Sequence, residues 1–438
     1  MKILLKIIFC SVIISCSAQN KLTSQLEDYM DAEAEINNFS GTVLVTKNDS
    51  ILLKKAYGFA DYELEVTNTL NTKFSLASVS KQFTAVAILQ LVEANKLSLD
   101  DKLVKYYRHF PKGDKISIKM LLTHNSGIGD DVEELFSSNT ALPQDSVVKY
   151  IMKKPLLFDP GTQTSYSNTA YYILATLIQK ISKQSYASYL KEHIFEKAKM
   201  TNSGISSNDS IILRMSKPYY HKQGALIKNP FSNWVYNIGL DGVYSTIEDL
   251  YLWNKHLFDS TTLLSEKTKT QMFTSYNKDN FGYGVLVNPI YNHNHRLIGH
   301  DGGYYGTQTS FNRFIDDNVF VTVLSNNESP SYLIAHGLAA IVFEIPVELS
   351  YKHIKVQIDT KVYDDYVGEY EDIKILRKND KLFYSDYDIE LIPESTTKFF
   401  RSDNNNRTIE FIKNKEGITI QIISTTAGIK NIKNKLNK

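Results

Sequence analysis

Beyond residue 16 the chain contains no cysteine; the only two are Cys10 and Cys16. That absence excludes a disulfide framework, a Cys-ligated metal site and a thiolate nucleophile from the folded part. Net charge is equally scarce, with 49 Lys+Arg against 48 Asp+Glu and a formal +1. Such a balance gives no electrostatic reason to expect a nucleic-acid partner. The one charge bias, "IKNIKNKLNK" at the end, reads as a solvated tail. The N-terminal apolar run, Ile7 to Ile14, is too short to span a bilayer as a permanent helix. There is no G-x-S-x-G, so the α/β-hydrolase elbow is missing, and no H-E-x-x-H. His293-x-His295 with His300 has no second metal motif beside it and reads as a polar hairpin tip. Neither a metal nor an organic cofactor is expected.

What is present begins with an export signal over residues 1–18. Lys2 and Lys6 form its positive end, the apolar run its core, and small residues follow. Two processing readings stay open. Ile13-Ile14-Ser15-Cys16 resembles a lipobox, which would make Cys16 a lipidated N-terminus, whereas Ser17-Ala18 before Gln19 suits ordinary cleavage. The expected location is the periplasm or an outer-membrane anchor in a bacterium. The chain is long enough for one large and one small domain, and its 42% hydrophobic content supplies a sizeable core. The 28 tyrosines read as core and surface packing rather than a carbohydrate-binding face.

Along the chain, "SGTVLVTKNDSILLKKAYGFADYE" reads as a hairpin turning at Asn48-Asp49. Residues 100–230 read as helices and loops, with amphipathic segments at 144–152 and 169–197. "NHRLIGHDGGYYGTQTSFNRFIDDNVFVTVLSNN" reads as three strands, and "YLIAHGLAAIVFEI" as a closing helix. Strands at both ends with helices between predict an α/β (α+β) architecture. An antiparallel sheet is flanked by helices, with a helical subdomain inserted, over residues 25–345. From 350 to 438, short alternating runs broken by Asn, Asp and Gly predict a small all-β, barrel-like domain. Within it, "SDNNNRT" reads as a turn.

Chemistry concentrates in "FSLASVSKQFTAVAILQLVE", residues 74–93. A helix starting near Ser78 puts Ser78 and Lys81 one turn apart on one face, as a serine nucleophile with a lysine base requires. The spacing alone does not decide this, because Ser also caps helices. Ser146/Lys149, Ser188/Lys191, Ser275/Lys278 and Ser395/Lys398 share it. Two further motifs add weight to it. Tyr166-Ser167-Asn168 directly precedes an amphipathic run, and His300-Asp301-Gly302 lies on a predicted strand before Gly303.

With these three motifs in this order, the sequence resembles the serine beta-lactamase-like hydrolases, including class C beta-lactamases, low-molecular-weight penicillin-binding proteins and lactamase-fold esterases. "LLTHNSGI", Pro160-Gly161, "GLDGVYSTIEDLYLW" and "FGYGV" support the resemblance. The C-terminal "YVGEY…LIPESTTKFF" is similar to the lipocalin-like domain appended to such hydrolases.

The resemblance implies an acyl-Ser78 intermediate with no cofactor. It also implies proton transfer shared by Lys81 and Tyr166, Asn168 orienting Lys81, and His300 completing the catalytic set. The N–H groups of Ser78 and Gly303 would form an oxyanion hole, with Asp301 and Gly302 lining the substrate site. Whether Lys81 or Tyr166 is the base stays open. Most beta-lactamases begin the third motif with Lys and a hydroxyl residue; here His300 and Asp301 stand instead. Asp301 would repel a substrate carboxylate, so neutral or amine-bearing acyl compounds are expected to react better. The expected partner is a small acyl substrate or a peptidoglycan-derived peptide. The expected enzyme is a D-amino-acid peptidase, carboxypeptidase-like enzyme or esterase of the cell envelope. A beta-lactamase or a non-hydrolysing ligand-binding protein are the alternatives. His124 reads as a satisfied core histidine, and the acids of "DDVEELFSSN" (130–139) as a solvated helix face.

Overall fold

The computed structural model describes residues 2–138, 140–222, 225–229, 232–289, 293–384 and 388–436, side chains excepted at 2–19 and 404–406. The chain divides into two compact units, Ser40–Ala335 and Met1–Phe39 with His336–Lys438.

The larger unit is built on a six-stranded antiparallel sheet. Its order is Leu286–Val287, Leu297–Tyr304, Thr307–Phe314, Val319–Ser325, Gly41–Lys47, Ser50–Tyr57. The early hairpin therefore joins the late meander, with Gly41 opposite Ser325 and Val45 opposite Val321. Asn48 and Asp49 both take positive φ, 50° and 64°, the turn that suits the right-handed twist of a two-residue hairpin.

The helix Lys81–Glu93 is buried almost all round, from Lys81 to Leu89 and again at Leu91. Burial on all sides suits a helix enclosed by neighbours rather than one lying on a surface, and its buried polar residues Gln82 and Thr84 find hydrogen-bond partners. Phe83 stacks on Trp253 with centroids 4.1 Å apart, and the Trp253 indole N–H donates to Gln82 Oε1 at 2.9 Å. The helix Asn168–Ser182 buries every residue from Thr169 to Ile178 in the same core. The amphipathic stretch expected to run to 197 is interrupted. Lys183 adopts a left-handed cap (φ 63°), and Ser185 opens a new helix, Tyr186–Leu190, followed by a π-helical turn, Lys191–Phe195.

Close approach fixes one glycine. Gly284, in "FGYGV", has φ +68°, and a Cβ there would lie 2.5 Å from the Lys81 carbonyl oxygen and 2.8 Å from Ala85 Cβ. A loop thus rests directly on the first turn of the Lys81 helix.

In the smaller unit, the helix Lys2–Asn37 has the buried apolar residues Leu26, Tyr29 and Met30. Cys16 lies within this helix, among the residues whose side chains are outside those described. Among the described residues no helix is long and apolar enough to cross a membrane. Residues 368–434 form eight antiparallel strands in sequential order, and the bridge Tyr370–Lys435 brings the last beside the first, nearly closing a barrel. Tyr366 stacks on Phe411 inside it, 4.0 Å between centroids. The asparagine run differs from expectation. Only Ser402 and Asp403 turn, and Asn404 already begins the strand Asn404–Lys413.

Gly284→Ala is expected to lower unfolding stability by about 1–3 kcal/mol, because it adds both backbone strain and overpacking. Denaturant unfolding of the variant beside the parent measures this.

Candidate active site

Ser78 sits in a 3-10 turn, Ala77–Ser80, just ahead of the Lys81 helix. The turn is pinned from two sides. Leu76 N–H donates to the Val243 carbonyl at 2.8 Å, and Val243 N–H donates to Ser80 Oγ at 3.2 Å. Across the turn, Thr309 Oγ1 donates to the Leu76 carbonyl at 2.8 Å. Ala77 is held at φ +45°, a conformation that costs a non-glycine residue free energy and persists only where the surroundings enforce it.

Lys81 is fully buried, and its amine reaches three oxygens: Ser78 Oγ at 3.0 Å, Asn168 Oδ1 at 2.7 Å and the Leu240 carbonyl at 2.9 Å. All three belong to uncharged groups. Burial lowers its pKa from 10.5 to about 7, opposed by the charges of Asp241, Asp130 and Glu133. Once neutral, the amine has two N–H groups for Asn168 and Leu240 and one lone pair left for the Ser78 proton.

Tyr166 lies over the same amine, with Lys81 Nζ 4.9 Å from its ring centroid. Its hydroxyl is buried without a hydrogen-bond partner of good geometry, although the nearby Ser78 hydroxyl already lowers its pKa somewhat. Burial dominates and raises the phenol above its ordinary value. The two groups are thereby separated: the amine titrates near neutrality, while the phenol keeps its proton.

Asn168 is the first residue of its helix. Its backbone N–H donates to Asp130 Oδ1, and its Nδ2 donates to Glu133 Oε1 at 2.5 Å. Ser167 caps the same helix by accepting from Ala170 N–H at 3.0 Å, while its own N–H donates to His124 Nδ1 at 3.0 Å. His124 stacks on Tyr166 at 4.5 Å and is pushed well below its ordinary pKa by burial, so it is neutral with the proton on Nε2.

His300, on the strand Leu297–Tyr304, stands 6.2 Å from the Tyr166 ring. Burial drives its pKa down to about 4, helped by the Lys81 charge, so it is uncharged at neutral pH. Gly302 faces the nucleophile's turn, where a Cβ would lie 3.0 Å from Ala77 Cβ and against the Leu76 carbonyl. Glycine here lets the strand close on the turn. Gly303 is exposed. Among the described residues, the strand on that side pairs only with Ile298 and Gly299, leaving the edge beyond them open.

Asp301 departs from expectation. Strand alternation turns it to the face opposite His300 and Gly302. There its carboxylate accepts from Ser310 Oγ at 2.6 Å. Desolvation pushes its pKa up to about 6 while the residue keeps an exposed edge, so it is ionised at neutral pH.

The acids near the amine are others. Asp241 is buried and accepts from Gly242 N–H at 2.5 Å and Ser75 Oγ at 3.3 Å. Asp130 and Glu133 are exposed, as a solvated face would have them, yet each engages Asn168. Their part in the site was not read from the sequence; Asp241 lay in plain view in "GLDGVY". Of the pair His293-x-His295, His295 pairs with Asp317 at 2.8 Å, and among the described residues no group of three or more His, Cys, Asp or Glu could hold a metal ion.

The Beta-lactamase family model matches residues 26–341. The chain belongs to this family of serine hydrolases. A penicillin-binding protein of Bacillus subtilis (strain 168) is 29% identical over 420 residues, 87% of this chain and 92% of its own length. The crystal structure of a penicillin-binding protein from Bacillus halodurans superposes with a TM-score of 0.64 at 26% identity, covering 72% of this chain and 98% of that one. An octameric penicillin-binding protein homologue from Pyrococcus abyssi shares the fold over 93% of this chain and 99% of its own, TM-score 0.67 at 23% identity.

Because protonation of the Lys81 amine removes the lone pair, acylation of Ser78 is expected to rise about tenfold per pH unit below about 7 and to level off above it. The rate of fluorophosphonate labelling against pH measures this. A flat profile through neutrality would contradict the assignment of the amine as base.

Proposed function

We propose that the protein is an exported hydrolase that cleaves an ester or amide through acyl-Ser78. Its substrates are small acyl compounds or peptidoglycan-derived peptides of the bacterial envelope. One observation carries the reading: the Lys81 amine lies 3.0 Å from Ser78 Oγ with its other two contacts on neutral oxygens. Neutral Lys81 takes the Ser78 proton as Oγ bonds to the acyl carbon. The resulting oxyanion is held by the N–H groups of Ser78 and Gly303; one such donor is typically worth about 10²–10³ in rate. Tyr166, whose proton is retained at neutral pH, hands it to the departing oxygen or nitrogen and recovers one through Lys81. Water then attacks the acyl carbon, and Ser78 leaves with a proton.

The preferred substrates are neutral or amine-bearing. Asp130, Glu133 and Asp241 surround the amine with negative charge, and the histidine in the third motif is uncharged, so a substrate carboxylate finds repulsion without a compensating cation. Export rests on Lys2, Lys6 and the apolar core that follows, with Cys16 lipidation and cleavage after Ala18 as its two routes. Similarity to penicillin-binding proteins supports an envelope role.

A fluorophosphonate is expected to add one adduct to the intact protein and none to Ser78→Ala, by mass spectrometry. An unlabelled parent protein would end the hydrolase reading. Among esters sharing one leaving group, ammonium-bearing and neutral acyl groups are expected to exceed carboxylate-bearing ones by at least about tenfold in kcat/KM, or ~1.4 kcal/mol. Substantial cephalosporin turnover would refute that preference.

A further inference from the structure

An asparagine side chain has two ends of nearly equal shape and opposite hydrogen-bonding character, so its neighbours decide which way it points. Asn168 presents Oδ1 to Lys81 Nζ at 2.7 Å and Nδ2 to Glu133 Oε1 at 2.5 Å. Turning the amide over would set a donor against the amine's N–H and a carbonyl against a carboxylate. Both contacts would be lost together.

We propose that Glu133 is a positioning residue for Lys81: it locks the Asn168 amide with its acceptor toward the amine and contributes charge to the field in which that amine works. This rests on the reading of Lys81 as the base that activates Ser78.

The groups facing Lys81 come from every side. Ser78 belongs to its own turn, and Tyr166, Asn168 and Tyr171 come from the segment opening the Asn168 helix. Asp130 and Glu133 come from the turn around Asp131–Leu135, and Asp241 from the loop that also supplies the Leu240 carbonyl. His124 and His300 complete the enclosure. Both histidines are neutral at pH 7 and both phenols are raised by burial, so the charges acting on the amine come from the three carboxylates, of which burial raises Asp241 and Asp130. Asp130 also accepts from the Asn168 backbone at a helix N-terminus, and Asp241 is buried on Gly242 N–H. Glu133 is exposed and holds only the side chain of Asn168 among these groups, so it can be altered without uncapping the helix or opening the core.

The test is the rate of fluorophosphonate labelling as a function of pH on the full chain, read by intact mass. Glu133→Gln keeps an acceptor for Nδ2 but removes the charge. Its acid limb is expected to move to lower pH by about half a unit, with a plateau within about threefold of the parent. Glu133→Ala frees the amide, and its plateau is expected to fall about tenfold or more. The double variant with Asn168→Ala is expected to be no slower than Asn168→Ala alone, because both changes remove one interaction. A Glu133→Gln limb coinciding with the parent's, or losses that multiply in the double variant, would overturn this inference alone. A parent protein that does not label at Ser78 would remove the hydrolase reading and this inference together.

Discussion

An amine buried without a counter-ion in contact is the constraint around which this active site is arranged. Removing an ammonium from water is costly, and an adjacent carboxylate would offset that cost by holding the proton on. Here the Lys81 amine instead touches a hydroxyl, an amide oxygen and a backbone carbonyl. The carboxylates that influence it act through space: Asp130 and Glu133, which hold Asn168, and Asp241, next in sequence to the Leu240 carbonyl that the amine touches. Desolvation therefore outweighs attraction, and the pKa settles near 7 rather than above 10. A carboxylate moved into direct contact would stabilise the charged form and remove the base.

The surrounding packing keeps that arrangement from relaxing. The carbonyl of Lys81 is overlaid by Gly284, the turn before Ser78 is overlaid by Gly302, and both approaches are too close for a Cβ. Hydrogen bonds from Leu76 and Val243 tie the same turn to the strand Val243–Ser245. A side chain held this way gains little by rotating toward solvent, which is what a precise nucleophile–base distance demands. The positive φ of Ala77 belongs to this account, since such a conformation survives only where neighbours leave no alternative.

Much of this was legible in the sequence because it is local or periodic. The hairpin at Asn48-Asp49, the buried run after Lys81 and the strands around His300 each announce themselves within about ten residues. Ser78, Lys81 and Asn168, grouped by the family resemblance and not by local pattern, are joined by hydrogen bonds. What was missed depends on tertiary placement. Nothing in "DDVEELFSSN" distinguishes a carboxylate facing solvent from one holding an asparagine 35 residues later. The break at Lys183 uses a left-handed lysine where glycine would have signalled it. Asp301 was a different kind of miss, because the signal was available. If His300 faces the interior of a strand, period-two alternation sends Asp301 to the other side.

The same electrostatics join recognition to reactivity on the proposed reading. A substrate ammonium entering among three carboxylates is attracted, and its charge also disfavours protonation of the Lys81 amine, so bound substrate keeps the base in its active form. A substrate carboxylate does the reverse: it is repelled, and once bound it favours the ammonium form, which has no lone pair for Ser78. Selection by charge therefore acts twice, on binding and on the fraction of base available in the complex. A substrate charge placed beside a titrating base makes this coupling unavoidable. The neutrality of His300 sharpens it, because a second ammonium in the third motif would lower the Lys81 pKa whatever the substrate and uncouple the two effects.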